Sequence, residues 1–241
     1  MIKITEGQNE GNLPSSAVQC AIVDNRNQLW IGTRRGLRVL PSVDRFLNEE
    51  ELTTNSIIIL DDGLAQELLF GQFITDIAVD GANNKWIGTA DAGVFQFSPN
   101  GQQTLQRFTS ANSPLPSNVI NDIEINGTTG EVFIATSKGM VSFKGTSTKP
   151  NDNLQDVYVY PNPVRPGFDG TVKISGLTSK ANVKVTDIEG NLVYEEISEG
   201  GTIEWDTTAF GKYKVASGVY MIFISTDDAL DTTVKKVMIV R

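Results

Sequence analysis

One segment of this chain occurs three times, and this repeat constrains the fold more than any other feature. The copies begin at Val18, Ile74 and Ile120. Each has an alternating apolar strand, a polar turn, a second strand built around an aromatic residue, then a glycine and a third strand. The aromatic residues are Trp30, Trp86 and Phe133. Repeats of roughly 40–50 residues with three or four short strands are typical of β-propeller blades, which bury their apolar faces only against neighbouring blades.

The second copy predicts the layout of a blade. Its later strands are predicted at Lys85–Thr89, Val94–Phe97 and Leu105–Phe108, with the last as the outer strand. In its first strand, simple alternation places Ile74, Asp76, Ala78 and Asp80 on one face and Thr75, Ile77 and Val79 on the other.

The stretch Pro41–Phe73 is longer than a blade connection needs, and we interpret it as an elaborated outer strand with an insertion. The expected elements are a short helix over Asp44–Leu52, a strand at Ser56–Leu60 and a turn at Asp61–Gly63.

Three blades cannot close a ring, because propellers have about 4–8 blades. Leu13–Ser15 matches Leu115–Ser117, the connection that precedes the third copy, and this places Ile2–Thr5 where an outer strand should lie. We therefore predict a homodimer that closes a six-bladed propeller. In it, Ile2–Thr5 of one copy would pair with the Ile120–Phe143 blade of the other.

The composition changes at Gly145–Asn153, a polar stretch without periodicity. Beyond it, seven short strands punctuated by turns predict an Ig-like antiparallel β-sandwich. The sequence thus predicts an all-β chain with three propeller blades at 1–145, a linker at 146–155 and a sandwich at 156–241.

Charge and composition exclude several kinds of function. The formal net charge of −9 argues against a nucleic acid or an anionic membrane as a bulk electrostatic partner. With no histidine and a single cysteine, the chain has no Ser-His-Asp or Cys-His catalytic group, no histidine-ligated zinc and no intrachain disulfide. We expect no enzyme activity, no catalytic residue, no metal site and no cofactor.

Several local patterns have a functional and a structural interpretation. Asp24–Asn27 and Asp80–Asn84 resemble calcium loops but lack the terminal bidentate carboxylate, so hairpin turns are favoured. Trp30 and Trp86 could stack on sugars, but their repeated position favours core packing. Arg34–Arg35 could meet an anion, although an exposed turn is the simpler interpretation.

The second domain resembles the C-terminal sorting domains of the type IX secretion system of Bacteroidetes. The resemblance rests on YPNPVRP at Tyr160–Pro166, the VKVTDIEGNLVYE hairpin, Gly218–Tyr220 and the terminal KKVMIVR. The first domain resembles two-component-regulator propeller repeats. Their combination resembles the PorZ-like surface components of the type IX attachment complex, whose members are longer and carry an export signal. On that resemblance the chain is expected to be a C-terminal portion, since its first residues are not a signal peptide.

The resemblance implies roles for residues of the sandwich. Sorting or docking is expected at Tyr160, Pro161, Asn162, Pro163, Lys235 and Lys236. Contact with a phosphate of anionic lipopolysaccharide is expected at Arg165, Lys212 and Lys214, although edge-strand lysines also protect sheets from aggregation.

Two functions remain open at this point. The first is a non-catalytic component of the type IX machinery at the outer-membrane surface, with the propeller as an interaction scaffold and the sandwich as a docking domain. The second is a secreted, surface-anchored cargo whose propeller binds a glycan or protein and whose sandwich is a cleavable sorting tag. They differ in the fate of the C-terminal domain, which is retained in the first and removed in the second.

Overall fold

The computed structural model describes residues 2–7, 10–61, 64–145 and 147–241. Within these ranges the chain is almost entirely β, and the predicted all-β class, propeller blades followed by an antiparallel sandwich, is confirmed. The chain divides into two compact units. The first runs to Asn126 and includes Glu131–Gly145, and the second comprises Gly127–Gly130 and the residues after Gly145.

The first unit contains three blades. The strands of the first blade are β1 (Val18–Val23), β2 (Leu29–Thr33) and β3 (Gly36–Leu40). An insertion follows, with α1 (Arg45–Asn48), β4 (Ile58–Asp61) and β5 (Leu64–Glu67). The second blade has β6 (Ile74–Val79), β7 (Lys85–Thr89), β8 (Val94–Phe97) and β9 (Thr104–Phe108). The third blade has β10 (Ile120–Ile125), β11 (Glu131–Thr136) and β12 (Gly139–Lys144).

The second blade has the predicted four strands in sequential order, whereas the first and third are three-stranded sheets. In the first blade the outer strand is reduced to one antiparallel bridge, in which Val39 and Asn55 exchange both backbone hydrogen bonds. The insertion has a shorter helix and a later strand than expected, and β4 pairs with β5 in a separate hairpin. The expected turn at Asp61–Gly63 includes two residues outside the described ranges.

The prediction that alternation holds through the first strand is wrong. Each blade has a β-bulge at its second residue, at Gln19, Thr75 or Asn121, where the ladder skips one position. The extra residue shifts the side-chain alternation by one. Consequently Ile74 and Ile77 are buried in the same cluster, although they were predicted to lie on opposite faces.

The blades pack through two opposite faces, here called leading and trailing. The trailing face of the first blade, with Trp30 and Leu37, packs against the leading face of the second, with Ile74 and Ile87. The second blade packs against the third in the same way. Glycine makes this approach close, because a Cβ on Gly88 would lie 2.7 Å from Cγ2 of Ile120.

Residues Ile2–Thr5, expected as an outer strand, are not a strand in this structure. The backbone N–H of Thr5 donates to the Glu10 carbonyl at 2.7 Å, and the Thr5 carbonyl accepts from Leu13 at 3.0 Å. Sharing this segment with another copy would therefore break two hydrogen bonds within the chain.

The second unit is a sandwich of two antiparallel sheets. One sheet has the order β13 (Tyr158–Tyr160), β14 (Val172–Ser175) and β17 (Thr202–Trp205). The other has the order β16 (Leu192–Ile197), β15 (Asn182–Thr186), β20 (Gly218–Ser225) and β21 (Thr232–Ile239). A small hairpin of β18 (Thr208–Ala209) and β19 (Tyr213–Lys214), which the sequence did not predict, completes the unit. The core between the sheets centres on Trp205, Val172, Val185 and Ile222, all fully buried.

Candidate functional site

The YPNP segment of the sandwich is bound along β21. The Asn162 side-chain amide donates to the Lys236 carbonyl at 2.9 Å, and its Oδ1 accepts the backbone N–H of Met238 at 3.1 Å. Val164 continues the contact, because it donates to the Met238 carbonyl at 2.8 Å and accepts from Val240 at 2.9 Å. The structure thus brings two of the predicted docking residues, Asn162 and Lys236, into a hydrogen bond. The Lys236 atom in this bond is the backbone carbonyl oxygen, not the side chain.

The local sequence explains why a side chain makes this connection. Pro161 and Pro163 have no backbone N–H and cannot donate to a neighbouring strand. Asn162, which lies between them, supplies both a donor and an acceptor from its amide. The two hydrogen bonds of the Asn162 side chain therefore replace the backbone hydrogen bonds that a neighbouring strand would make to β21.

The neighbouring side chains divide between the two faces of β21. Lys236 is exposed, whereas Lys235 is half-buried on the side of Val237 and Ile239. Tyr160 is 43% exposed and stacks on Tyr158, with ring centroids 5.5 Å apart. Of the predicted docking set, Tyr160, Asn162, Pro163 and Lys236 are exposed, whereas Pro161 and Lys235 are half-buried.

Asn162→Ala is expected to destabilise the sandwich by about 1–2 kcal/mol, because it removes two hydrogen bonds that fix the YPNP segment. Lys236→Ala is the matched control: its backbone carbonyl remains, so stability should change by less than about 0.5 kcal/mol. Urea denaturation followed through Trp205 fluorescence measures both. Equal stability of the two variants would show that the Asn162 bridge does not hold the segment.

Three cations, Arg165, Lys212 and Lys214, were predicted to contact an anion. Among the described residues, no contact connects these three side chains with one another. Arg165 and Lys212 are exposed, while the Lys214 ammonium donates to the Asp206 carbonyl at 2.6 Å. Arg241, which the sequence did not single out, fixes the same loop region. Its guanidinium donates to the Thr207 hydroxyl at 2.9 Å and the Val215 carbonyl at 3.1 Å.

A groove of about 530 Å³ runs over the outer face of the β16-β15-β20-β21 sheet. Its apolar lining comes from Ile197, Phe223 and Val234, and Lys180 and Lys184 flank it. Lys184 is 3.1 Å from Glu195 and both side chains are exposed, so this ion pair is weak. The sequence did not indicate this groove, because its residues come from four strands.

The trailing face of the third blade is uncovered within the propeller unit. Trp30 and Trp86 are 1% exposed because a following blade packs on them, but the equivalent Phe133 is only half-buried. Beside it, Met140 is 68% exposed, whereas its counterpart Val94 is fully buried. The trailing face of the third blade therefore presents apolar surface of the kind that the other two blades bury.

The interface between the first two blades contains a buried ion pair. Lys85 Nζ lies 2.8 Å from Asp24 Oδ2, and both side chains are 0% exposed. Lys85 also lies 4.7 Å from the Trp30 ring centre and donates to the Asn83 and Pro99 carbonyls. Burial acts to raise the pKa of Asp24, but the hydrogen bond from Lys85 and two backbone N–H groups outweigh burial and hold that pKa below its ordinary value.

The equivalent aspartate of the second blade has neutral donors. Asp80 accepts from the indole N–H of Trp86 at 3.1 Å, as Asp24 does from Trp30 at 3.2 Å. Its other described donors are Asn84, Gln96 and backbone N–H groups. Burial therefore raises the pKa of Asp80. Both aspartates close turns and bind indoles, which accounts for their position without a calcium ion.

No group of three or more metal-ligating side chains is found within the described ranges. In the same part of the chain, no helix has the length and apolarity to cross a bilayer.

Family models match part of each of the two units. Residues 158–240 match the secretion system C-terminal sorting domain, and residues 12–35 match the two component regulator propeller. The chain is similar to PorZ of Porphyromonas gingivalis, a surface component of the type-IX secretion system, with 28% identity and a TM-score of 0.64. This likeness covers 95% of the chain and confirms the PorZ-like resemblance predicted from the sequence.

The chain spans 31% of the length of that PorZ structure. The extracellular domain of the putative hybrid two component system BT4673 from B. thetaiotaomicron also aligns, over 95% of this chain and 51% of its own. Its identity of 11% and TM-score of 0.36 support no functional argument. No curated protein sequence matches the chain.

Proposed function

We propose that this protein is a non-catalytic component of the type IX secretion and attachment machinery at the outer-membrane cell surface. The observation that carries the proposal is the 28% identity to PorZ, which extends over 95% of the chain and includes both the blades and the sandwich. The matched sorting domain at 158–240 supports export by this system. PorZ itself is described as an essential bacterial surface component of the type-IX system.

In this proposal the sandwich docks to other secretion proteins through the surface around β21. The Asn162 hydrogen bonds fix the YPNP segment there, and Lys236 and Tyr160 remain accessible for contact. Tyrosine and a neighbouring cation suit an interface that is apolar at its centre and charged at its rim.

The sandwich is also proposed to handle anionic lipopolysaccharide. The exposed Arg165 and Lys212 offer donors for a phosphate, as predicted. The groove flanked by Lys180 and Lys184 adds apolar lining beside cations, which suits a ligand with a charged head and an apolar part. Lys214 is less available, because its ammonium already donates to Asp206.

The propeller is proposed to act as an interaction scaffold, with a second copy covering the trailing face of the third blade. Phe133 and Met140 supply the apolar surface for this contact. Ala135 stands where the first two blades have Gly32 and Gly88, so its methyl group sets a wider spacing than at the other blade interfaces.

The fate of the sandwich tests the proposed function against the cargo alternative. In a bacterium with a type IX system, we expect an antibody against residues 158–240 to label the mature protein on intact cells. Deletion of the gene should also reduce surface delivery of other proteins that carry sorting domains. A mature surface protein that lacks the sandwich, with normal delivery of other cargo, would instead establish a secreted cargo with a cleaved tag.

A further inference from the structure

The insertion of the first blade exposes several large apolar side chains. Leu60 is 80% exposed, and Ile58 and Leu64 of the same β4–β5 hairpin are exposed as well. Ile58 and Leu60 lie two positions apart on β4 and therefore share a face. Phe70, on the turn that follows β5, is 71% exposed. Apolar side chains gathered in this way, unlike single scattered ones, mark an interaction surface.

A groove of about 510 Å³ lies between this hairpin and the second blade, wholly within the first unit. Leu60 and Phe70 line it, together with the half-buried Phe95 and the buried Phe97 of β8. More than half of its lining residues are apolar. Because Leu60 and Phe70 belong both to the exposed patch and to the groove, the two features form one surface.

The turn that carries Phe70 has a fixed backbone. Leu69 has a φ of 54°, a left-handed conformation that is uncommon for leucine. Gly71 donates to the Arg35 carbonyl at 3.1 Å, and Gln72 donates to the Leu69 carbonyl at 3.1 Å. The Phe70 ring is thus presented on a turn whose backbone loses little freedom when a partner binds.

The groove has one charge that the chain does not neutralise. Its two ionisable lining residues are Glu67 and Arg107. Glu67 forms an ion pair with Arg38, which lies outside the lining. Arg107 forms no ion pair within the described ranges, and its guanidinium lies over the Phe95 ring at 4.8 Å from the ring centre. A complementary partner therefore carries an anionic group at this point, next to apolar groups.

Two strands beside the groove have a free edge. In the described part of the chain β5 pairs only with β4, and β9 pairs only with β8. Both strands contribute to the lining, β5 through Gln66 and Glu67 and β9 through Thr104 and Arg107. An extended peptide can form backbone hydrogen bonds with a free strand edge, whereas a helix or an acyl chain cannot.

We propose that this surface docks an extended segment of another protein. The segment places apolar side chains on Leu60 and Phe70 and a carboxylate at Arg107. The inference rests on the proposed scaffold role of the propeller and gives the chemistry of the partner. An anionic lipid surface is disfavoured, because the sequence has Asp61 and Asp62 at the end of the hairpin.

Selection from a phage library of random heptapeptides on the immobilised full chain tests the proposal. Sequences with at least two apolar residues and one carboxylate are expected to be enriched over a parallel selection on Leu60→Lys. The most enriched heptapeptide is then synthesised and its Kd measured by titration calorimetry. Leu60→Lys and Arg107→Gln should each weaken binding at least about tenfold. Amidation of the peptide carboxylate should have the same effect, with no further loss in Arg107→Gln.

Leu47→Lys is the matched control. Leu47 is an 85% exposed leucine of the same insertion that does not line the groove, so the Kd should not change. Both lysine variants should unfold at the same denaturant concentration as the unmodified chain, because each replaces an exposed side chain.

The proposal is overturned if no heptapeptide is enriched over Leu60→Lys, or if the enriched sequences carry no carboxylate. Binding of the chain to phosphatidylcholine vesicles that Leu60→Lys abolishes, without peptide enrichment, would assign the surface to a membrane instead. A failed selection with the sandwich retained on cells would refute this inference alone and leave the proposed surface component standing.

Discussion

Lys85→Met is expected to lower the free energy of unfolding of the propeller unit by about 3–5 kcal/mol, because it leaves the Asp24 carboxylate buried without its cation. The pair is fully buried and joined at 2.8 Å, so solvent cannot replace the lost partner. Guanidinium denaturation of the full chain, followed through Trp30 and Trp86 fluorescence, gives the change.

The double variant Asp24→Asn/Lys85→Met is the control for that measurement. It removes the buried charge together with its cation, so it should lose less stability than Lys85→Met alone. A double variant as unstable as the sum of the two single variants would mean that the pair does not act as a unit.

The two equivalent aspartates should give opposite responses to pH. The pKa of Asp24 is lowered in the folded protein, so its stabilisation is present above the ordinary carboxyl pKa of about 4 and is lost as pH falls through the lowered value. The pKa of Asp80 is raised, so protonation favours the folded state as pH falls toward its raised value. Denaturation between neutral pH and about pH 3.5 should therefore change in opposite directions for Asp24→Asn and Asp80→Asn relative to the unmodified chain.

Trp86→Ala is expected to cost about 3–5 kcal/mol, because it empties the core between the second and third blades. Trp86 is 1% exposed and packs on Phe108 and Phe143, at centroid distances of 5.9 and 5.5 Å. Phe133→Ala, at the equivalent position of the third blade, should cost only about 1 kcal/mol in a single copy, because no following blade covers that ring.

The same position tests the proposed dimer. If a second copy covers the trailing face, light scattering should give the mass of two chains, and Phe133→Ala should weaken the association at least about tenfold. Ala135→Gly should strengthen it, since the smaller residue permits the approach seen at Gly88. Removal of Met1–Thr5 should dissociate the dimer if that segment is the shared strand. The mass of one chain at every concentration would make the homodimer wrong.

The strands were predictable because their signals are local. Alternating apolar residues bounded by polar turns place β6 to β9 within one residue of the observed bounds. The hairpin of β18 and β19 was missed because strands of two residues are too short to show a period.

The bulges and the buried ion pair were not predictable for a different reason. Gln19, Thr75 and Asn121 are polar residues near a strand end, and nothing in their type announces a skipped position. From the sequence alone, Lys85 is expected to be an exposed lysine at the end of a strand. Its partner Asp24 lies 61 positions earlier in the chain and reaches it only because the neighbouring blade packs there.

The unequal chemistry of the two blade interfaces makes the repeats non-interchangeable. The first junction contains a lysine that an aspartate of the preceding blade neutralises, and the second contains three packed aromatic rings. If the second blade followed the third, Lys85 would meet Asn126 in place of Asp24 and remain a buried cation without a counter-ion. The three modules have nearly the same shape, but the order of the first two is specified by charge and the order of the last two by aromatic packing.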